Sequence, residues 1–165
     1  MTPSSNANYE ILVIDDDPYI LDVFDLMGET LPDCRIRTAV NYRKAQELME
    51  VAPLHLVLVD TVFGDNENEG LRILSELRKH PHGSKAYYIL MSAHKHGLVD
   101  RMRAYHLGAQ DFISKPFEIR ELELMLQSKL TFFRNLTGPP QSSSRRQQVG
   151  KFCLDHALKR LEIDG

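Results

Sequence analysis

The segment YEILVIDD, residues 9–16, is a short apolar run that ends in two aspartates. The same arrangement recurs along the chain, because LHLVLVD ends at Asp60, a third run ends at Ser92 and a fourth stops just before Lys115. Short runs rich in β-branched residues and bounded by polar residues are typical of buried strands. The carboxyl ends of parallel strands share one edge of an open α/β sheet, where ligands bind. The sequence therefore predicts a polar site at this edge.

Amphipathic stretches alternate with the apolar runs. The predicted strands are Tyr9–Ile14, Arg35–Val40, Leu54–Val59, Tyr87–Met91 and Asp111–Ser114. The predicted helices are Pro18–Met27, Tyr42–Val51, Gly70–His80, Gly97–His106 and Glu118–Phe133. Asp17 before Pro18, and Asn41, suit helix starts. This alternation predicts an α/β fold with a doubly wound, five-stranded parallel sheet, right-handed crossovers and strand order 2-1-3-4-5.

A chain of 165 residues that is 42% hydrophobic fits one compact domain with residues to spare. We expect a disordered N-terminus over residues 1–8, a domain over 9–134 and a flexible linker over 135–148, whose sequence NLTGPPQSSSRRQQ buries little apolar surface. The tail over 149–165 is apolar again. It is either a docking segment or the start of a truncated output module.

Charge and cysteine content restrict the cellular setting. The net charge of −3 divides into −6 before residue 134 (14 basic, 20 acidic) and +3 after residue 133 (6 basic, 3 acidic), which is no charge signature of nucleic-acid binding. Cys34 and Cys153 stand far apart in sequence, as in reduced cytosolic proteins. We see neither a signal peptide nor a run of about 20 apolar residues. A soluble, cytoplasmic protein without membrane partners is expected.

The residues at the strand ends suggest phosphoryl chemistry. Asp15, Asp16 and Asp60 supply the oxygen ligands that Mg²⁺ prefers. Lys115 supplies a fixed positive charge that makes three neighbouring carboxylates tolerable. A carboxylate can attack a phosphoryl group to give an acyl phosphate, and Asp60 ends the most apolar strand. Ser92 then offers a hydroxyl to a phosphoryl oxygen.

Four motifs, ILVIDDDP, LVLVD, ILMSA and GAQDFISKPF, resemble in order and spacing the receiver domain of two-component response regulators over about residues 9–133. The resemblance implies a flavodoxin-like (βα)5 fold with Asp60 as phosphoacceptor. It implies phosphoryl transfer from a histidine kinase or a phosphotransfer protein. It also implies a signalling switch that modifies and dephosphorylates itself, rather than an enzyme with a separate substrate.

The resemblance assigns further roles. Asp16 is implied as a direct magnesium ligand, Asp15 as a water-mediated one, and Val62 as the donor of a backbone carbonyl to the same ion. Ser92 matches the switch hydroxyl and Phe112 the switch aromatic. The lysine before Pro116 matches the family lysine, with a cis peptide bond between them. Phosphorylation is then expected to remodel the surface formed by the fourth predicted helix, the fifth strand and the fifth helix, the α4-β5-α5 surface, for homodimerisation or for output control.

The chain departs from the family pattern after the phosphoacceptor. Gly70 lies ten residues after Asp60 where the family has eight, and Gly64 replaces a proline. Acidic residues crowd this longer loop at positions 65, 67 and 69. His94, two residues after Ser92, stands where a side chain influences hydrolysis of the acyl phosphate.

Other functions remain open at this point. A haloacid-dehalogenase-like phosphatase would use Asp15 as nucleophile together with Asp17, Ser92 and Lys115, although it leaves Asp60 without a role. A third hypothesis is a pseudo-receiver that binds partners without being phosphorylated. The tail also resembles the start of a winged-helix domain, so transcription regulation and DNA binding enter only if an output domain follows.

Overall fold

The computed structural model describes residues 9–31, 33–93 and 98–137. The strands are β1 (Tyr9–Ile14), β2 (Cys34–Ala39), β3 (Leu56–Asp60), β4 (Tyr87–Ser92) and β5 (Asp111–Ser114). The helices are α1 (Pro18–Thr30), α2 (Tyr42–Met49), α3 (Glu69–Lys79), α4 (Leu98–Leu107) and α5 (Ile119–Thr137). All strands pair in parallel in the order β2-β1-β3-β4-β5. The predicted flavodoxin-like fold is confirmed.

The two predicted helix caps are present. The carboxylate of Asp17 accepts a hydrogen bond from the backbone N–H of Tyr19 at 2.9 Å, with Pro18 as the first helical residue. Asn41 accepts from the backbone N–H of Lys44 at 2.9 Å. These bonds satisfy amides that a helix leaves unpaired at its start. Helix α1 therefore begins at Pro18, two residues after Asp16.

The sheet separates two apolar cores. Odd and even positions of the central strands point to opposite faces, so Ile11 and Leu58 pack towards α1 and α5, whereas Leu12 and Val59 pack towards α2, α3 and α4. All residues of β1 and β3 are buried, as expected for the central strands of a parallel sheet covered on both faces. Their ends are therefore rigid supports for the polar residues that follow.

Strand register brings the polar residues to one edge. Ile14 is level with Val59, Asp60 with Met91, and Ser92 with Ser114. Beyond the last pair, the backbone N–H of Lys115 donates to the carbonyl of Ser92 at 2.7 Å. The Lys115–Pro116 peptide bond is cis.

Helix α5 continues four residues past its predicted end at Phe133. The Phe133 ring lies 6.3 Å from the rings of both Tyr9 and Tyr87, measured between centroids. Arg134 forms an ion pair with Asp33 at 3.0 Å. These contacts reach residues distant in sequence, so the local pattern that predicted the helix did not contain them.

Strand β2 begins at Cys34, one residue before its predicted start, and β3 begins at Leu56, two residues after its predicted start. Within the part of the chain that is described, no helix has both the length and the apolar character needed to span a membrane. The predicted N-terminal segment 1–8, the tail 149–165 and all of the linker beyond residue 137 lie outside the described residues.

Candidate functional site

Lys115 joins two carboxylates at the carboxyl edge of the sheet. Its Nζ lies 2.6 Å from Oδ2 of Asp15 and 2.8 Å from Oδ2 of Asp60. Asp15 is fully buried and Asp60 is 7% exposed. The remaining oxygen of Asp15 accepts the backbone N–H of Asp17 at 3.0 Å, and Oδ1 of Asp60 faces the backbone N–H of Val62 at 3.4 Å. Both carboxylates are thus fixed in position by donors from the segments that follow β1, β3 and β5.

Asp16 is the exposed member of the acidic group. Its Oδ2 accepts a hydrogen bond of 2.7 Å from the backbone N–H of Gly64, in the loop between β3 and α3. That loop holds a tight turn, because Phe63 and Asn66 exchange backbone hydrogen bonds of 3.2 and 3.0 Å. Part of this loop, which is two residues longer than the family pattern, is therefore an ordered turn that contacts Asp16.

Burial and hydrogen bonding act in opposite directions on the charged groups of the site. Burial raises the pKa of Asp15 above its usual value, although the hydrogen bond from Lys115 opposes this effect. Burial lowers the pKa of Lys115, but its bonds to Asp15 and Asp60 outweigh burial, so the net pKa is raised. Lys115 is therefore cationic at neutral pH, and the ionised form of Asp15 is held at an energetic cost.

The acidic residues form a cluster that fits a divalent cation. Asp15, Asp16 and Asp60 each offer one carboxylate oxygen, and these atoms lie within 4.8 Å of one another. An all-oxygen donor set with one solvent-facing member suits Mg²⁺, which keeps several of its waters. The backbone carbonyl of Val62, two residues beyond Asp60, is the fourth predicted ligand.

Ser92 lies on β4 and Phe112 on the neighbouring strand β5, and both side chains are on the same face of the sheet. Ser92 is 3% exposed. Phe112 is half-buried against the core beneath α3 and α4, and its ring meets that of Tyr105 edge-on at 5.3 Å between centroids. Tyr105, about half exposed on α4, therefore covers the aromatic to which the family resemblance assigns a switching role.

The structure brings Asp15, Asp16, Asp60 and Lys115 into one cluster, with Ser92 at the adjoining strand end. Sequence reasoning missed two neighbours of these residues, Gly64 and Tyr105. Glycine replacing a proline beside the phosphoacceptor was a signal for Gly64, whereas nothing in the sequence pattern marked Tyr105. His94 lies outside the described residues.

The sequence was also compared with models of known protein families. A family model described as the response regulator receiver domain matches residues 11–127. The chain belongs to the response regulator receiver domain family. The matched residues span the sheet apart from the first two residues of β1, and they include the first nine residues of α5.

Solved structures show the same fold. A CheY-like response regulator receiver domain from Methanospirillum hungatei JF-1 is 23% identical, with a TM-score of 0.65, covering 78% of this chain and 98% of that one. The chemotaxis protein CheY4 of Vibrio cholerae is 17% identical, with a TM-score of 0.66 and coverages of 74% and 98%. The response regulator DrrB of Thermotoga maritima, an OmpR/PhoB homologue, is 22% identical with a TM-score of 0.60, and the coverages are 76% of this chain and 54% of DrrB.

The raised pKa of Asp15 predicts that the ionised Asp15 carboxylate destabilises the folded receiver domain at neutral pH. Because the folded state favours the protonated carboxyl, metal-free protein should lose stability as the pH rises from the usual aspartate pKa towards neutrality. Asp15→Asn removes this cost, so we expect its Tm at pH 7 without Mg²⁺ to lie above that of wild type, and its Tm to become less dependent on pH. Thermal unfolding between pH 4 and 8 checks both, and an Asn variant less stable than wild type at pH 7 would refute the account.

Proposed function

We propose that this receiver domain accepts a phosphoryl group on Asp60 from the phosphohistidine of a sensor kinase or a phosphotransfer protein. The observation that carries the proposal is the Lys115 ammonium, which lies 2.8 Å from Asp60 and 2.6 Å from the buried Asp15. Asp60 also retains some exposure to solvent, so an incoming phosphoryl group can reach it. The Lys115 ammonium lies where the negative charge of the incoming phosphoryl group and of Asp60 must be neutralised.

The chemistry requires positioning more than bond-making groups. An oxygen of the Asp60 carboxylate attacks the phosphorus, a P–O bond forms, and the P–N bond to the donor imidazole breaks with its electron pair returning to nitrogen. Phosphoryl transfer of this kind is accelerated chiefly by alignment and charge neutralisation. Lys115 supplies one positive charge, and the Ser92 hydroxyl at the adjoining strand end is a donor for a phosphoryl oxygen.

A magnesium ion completes the proposed site. Asp15, Asp16 and Asp60, with the carbonyl of Val62, are the residues that would hold it. A bound ion would supply further positive charge beside the transferred phosphoryl oxygens. With both of its oxygens already hydrogen-bonded, Asp15 would hold the ion through a water, and the exposed Asp16 would be a direct ligand.

The geometry disfavours the phosphatase alternative. Asp15 is fully buried, and its two oxygens are engaged by Lys115 and by the backbone of Asp17. Both oxygens of Asp60 also face donors, Lys115 and the backbone N–H of Val62, so the two carboxylates differ in exposure rather than in hydrogen bonding. Asp60, which the phosphatase mechanism leaves without a role, is the more accessible carboxylate of the two.

Intact-mass spectrometry with acetyl phosphate and Mg²⁺ tests the proposal. We expect wild-type protein to gain the mass of one HPO₃ group and Asp60→Asn to gain none. An adduct that persists in Asp60→Asn but disappears in Asp15→Asn would favour the phosphatase, and no adduct on wild type would leave a partner-binding pseudo-receiver. Circular dichroism of each variant checks that the fold is retained.

The proposed output is a change in the surface formed by α4, β5 and α5. Ser92 would move towards the phosphoryl group, and Phe112 would turn inwards and leave Tyr105. Met102 and Tyr105 expose apolar surface on α4, which suits a homodimer or a partner in the cytoplasm. An unchanged sedimentation coefficient after phosphorylation would count against the dimer. DNA binding would require an output domain after this receiver.

A further inference from the structure

We propose that the backbone N–H of Gly64 is a positioning group for the cation site, because it holds the Asp16 carboxylate in the orientation that binds Mg²⁺. The inference rests on the proposed function, since that function places a magnesium ion on Asp16. It assigns a role to the residue at which this chain replaces a proline of the family pattern. Proline has no N–H and cannot donate this bond.

The contact is short and joins distant parts of the chain. Gly64 N lies 2.7 Å from Oδ2 of Asp16, 48 residues away in sequence. A hydrogen bond to an ionised acceptor is shorter and about twice as strong as one between neutral groups. Asp16 is the exposed ligand, whereas Asp15 and Asp60 are held by the Lys115 ammonium. The carboxylate with the greatest freedom to rotate is therefore the one that the loop fixes.

The bond leaves the carboxylate able to bind metal. Gly64 engages Oδ2, and a carboxylate has a second oxygen with lone pairs of its own. Groups that orient a metal ligand through its other atom commonly strengthen metal binding by about 10- to 100-fold. At Asp16, the N–H of Gly64 holds Oδ2, and Oδ1 is left for the metal.

The loop is built to present the N–H. Gly64 has a φ of 55°, in the left-handed region that glycine adopts most readily. Phe63 and Asn66, which stand on either side of Gly64 and Asp65, exchange two backbone hydrogen bonds. Among the described residues, apart from the chain neighbours of Gly64, nothing lies within 4 Å of where a Cβ of residue 64 would stand. Glycine is thus favoured here by the backbone conformation and not by a lack of space.

Two substitutions test the N–H. Gly64→Pro removes the donor, and it also fixes φ near about −65°, far from the 55° of Gly64. Gly64→Ala keeps the donor and fits the free space, at the cost of a strained φ. Isothermal titration calorimetry of the full chain with MgCl₂ should give a dissociation constant for Gly64→Ala within about threefold of wild type, and one for Gly64→Pro about tenfold weaker or more. Equal or tighter binding by Gly64→Pro would overturn the inference.

A second measurement avoids the effect of proline on the loop. In ¹⁵N-labelled wild-type protein, the Gly64 amide proton should resonate far downfield, as expected for a short bond to a carboxylate, and should remain there at saturating Mg²⁺. A return to an ordinary shift on metal binding would show that the bond competes with the metal. If wild type binds no Mg²⁺ at all, the proposed function fails together with this inference, whereas equal affinities in all variants overturn this inference alone.

Discussion

Lys115→Met should slow phosphorylation of Asp60 by acetyl phosphate by roughly 10²- to 10³-fold, the usual effect of removing one preorganised charge-stabilising donor. Methionine retains the length and apolar stem of lysine but not its charge. It leaves Asp15 buried beside Asp60 with no cation 2.6 Å away. Time courses of intact mass, at fixed acetyl phosphate and Mg²⁺, measure the loss directly.

The same variant should also be less stable, by about 3 kcal/mol, at the lower end of the usual cost of removing one partner from a buried pair. The cost stays low because Asp15 can take up a proton, as its raised pKa already favours. Lys129→Met is the matched control, since Lys129 is also partly buried and paired with an aspartate, Asp111, at 2.9 Å. Phosphorylation as slow in Lys129→Met as in Lys115→Met would contradict a specific role for Lys115.

Gly70→Ala should disrupt both stability and phosphorylation. A Cβ at this position would collide with the backbone carbonyl of Asp60, and would also lie 2.6 Å from the Cα of Thr61. Helix α3 begins against the end of β3, where the N–H of Gly70 donates to the carbonyl of Thr61 at 3.1 Å. Because both obstacles are backbone, the strand end carrying the phosphoacceptor must shift. We expect a loss of about 3 kcal/mol of unfolding free energy.

Gly28→Ala provides the comparison for this experiment. Gly28 lies within α1, and its added Cβ would lie 3.3 Å from the Cβ of Ile36, a tight contact that a shift of a few tenths of an ångström would relieve. Alanine also favours the helix by up to about 1 kcal/mol relative to glycine. Urea denaturation should therefore find Gly28→Ala within about 1 kcal/mol of wild type. A Gly70→Ala variant equally stable and equally fast in phosphorylation would show that the close approach at Asp60 is unimportant.

The fold followed from sequence because its signals are local. Apolar runs that end at Asp60 and Ser92 mark buried strands, and Asp17 and Asn41 begin helices through bonds to amides two or three residues away. Strand order then follows from alternation and connection handedness. The convergence of Asp15, Asp16, Asp60 and Lys115 at one edge follows from the same topology.

The details that sequence reasoning missed depend on contacts between distant residues. The bond from Gly64 to Asp16 forms only after β1 and β3 pair and the intervening loop turns back. The last turn of α5 is held through Phe133 by aromatic residues of β1 and β4. Tyr105 covers Phe112 because α4 packs over the sheet. No periodicity within a single segment encodes these contacts.

Identification of the residue that carries the phosphoryl group tests the central claim most directly. Borohydride reduces an acyl phosphate to an alcohol and leaves free carboxylates unchanged, so it marks the phosphorylated aspartate as homoserine. After treatment with acetyl phosphate and Mg²⁺, tandem mass spectrometry of the reduced protein should find homoserine at position 60. Homoserine at position 15, or at no aspartate of a folded and Mg²⁺-saturated protein, would contradict the account.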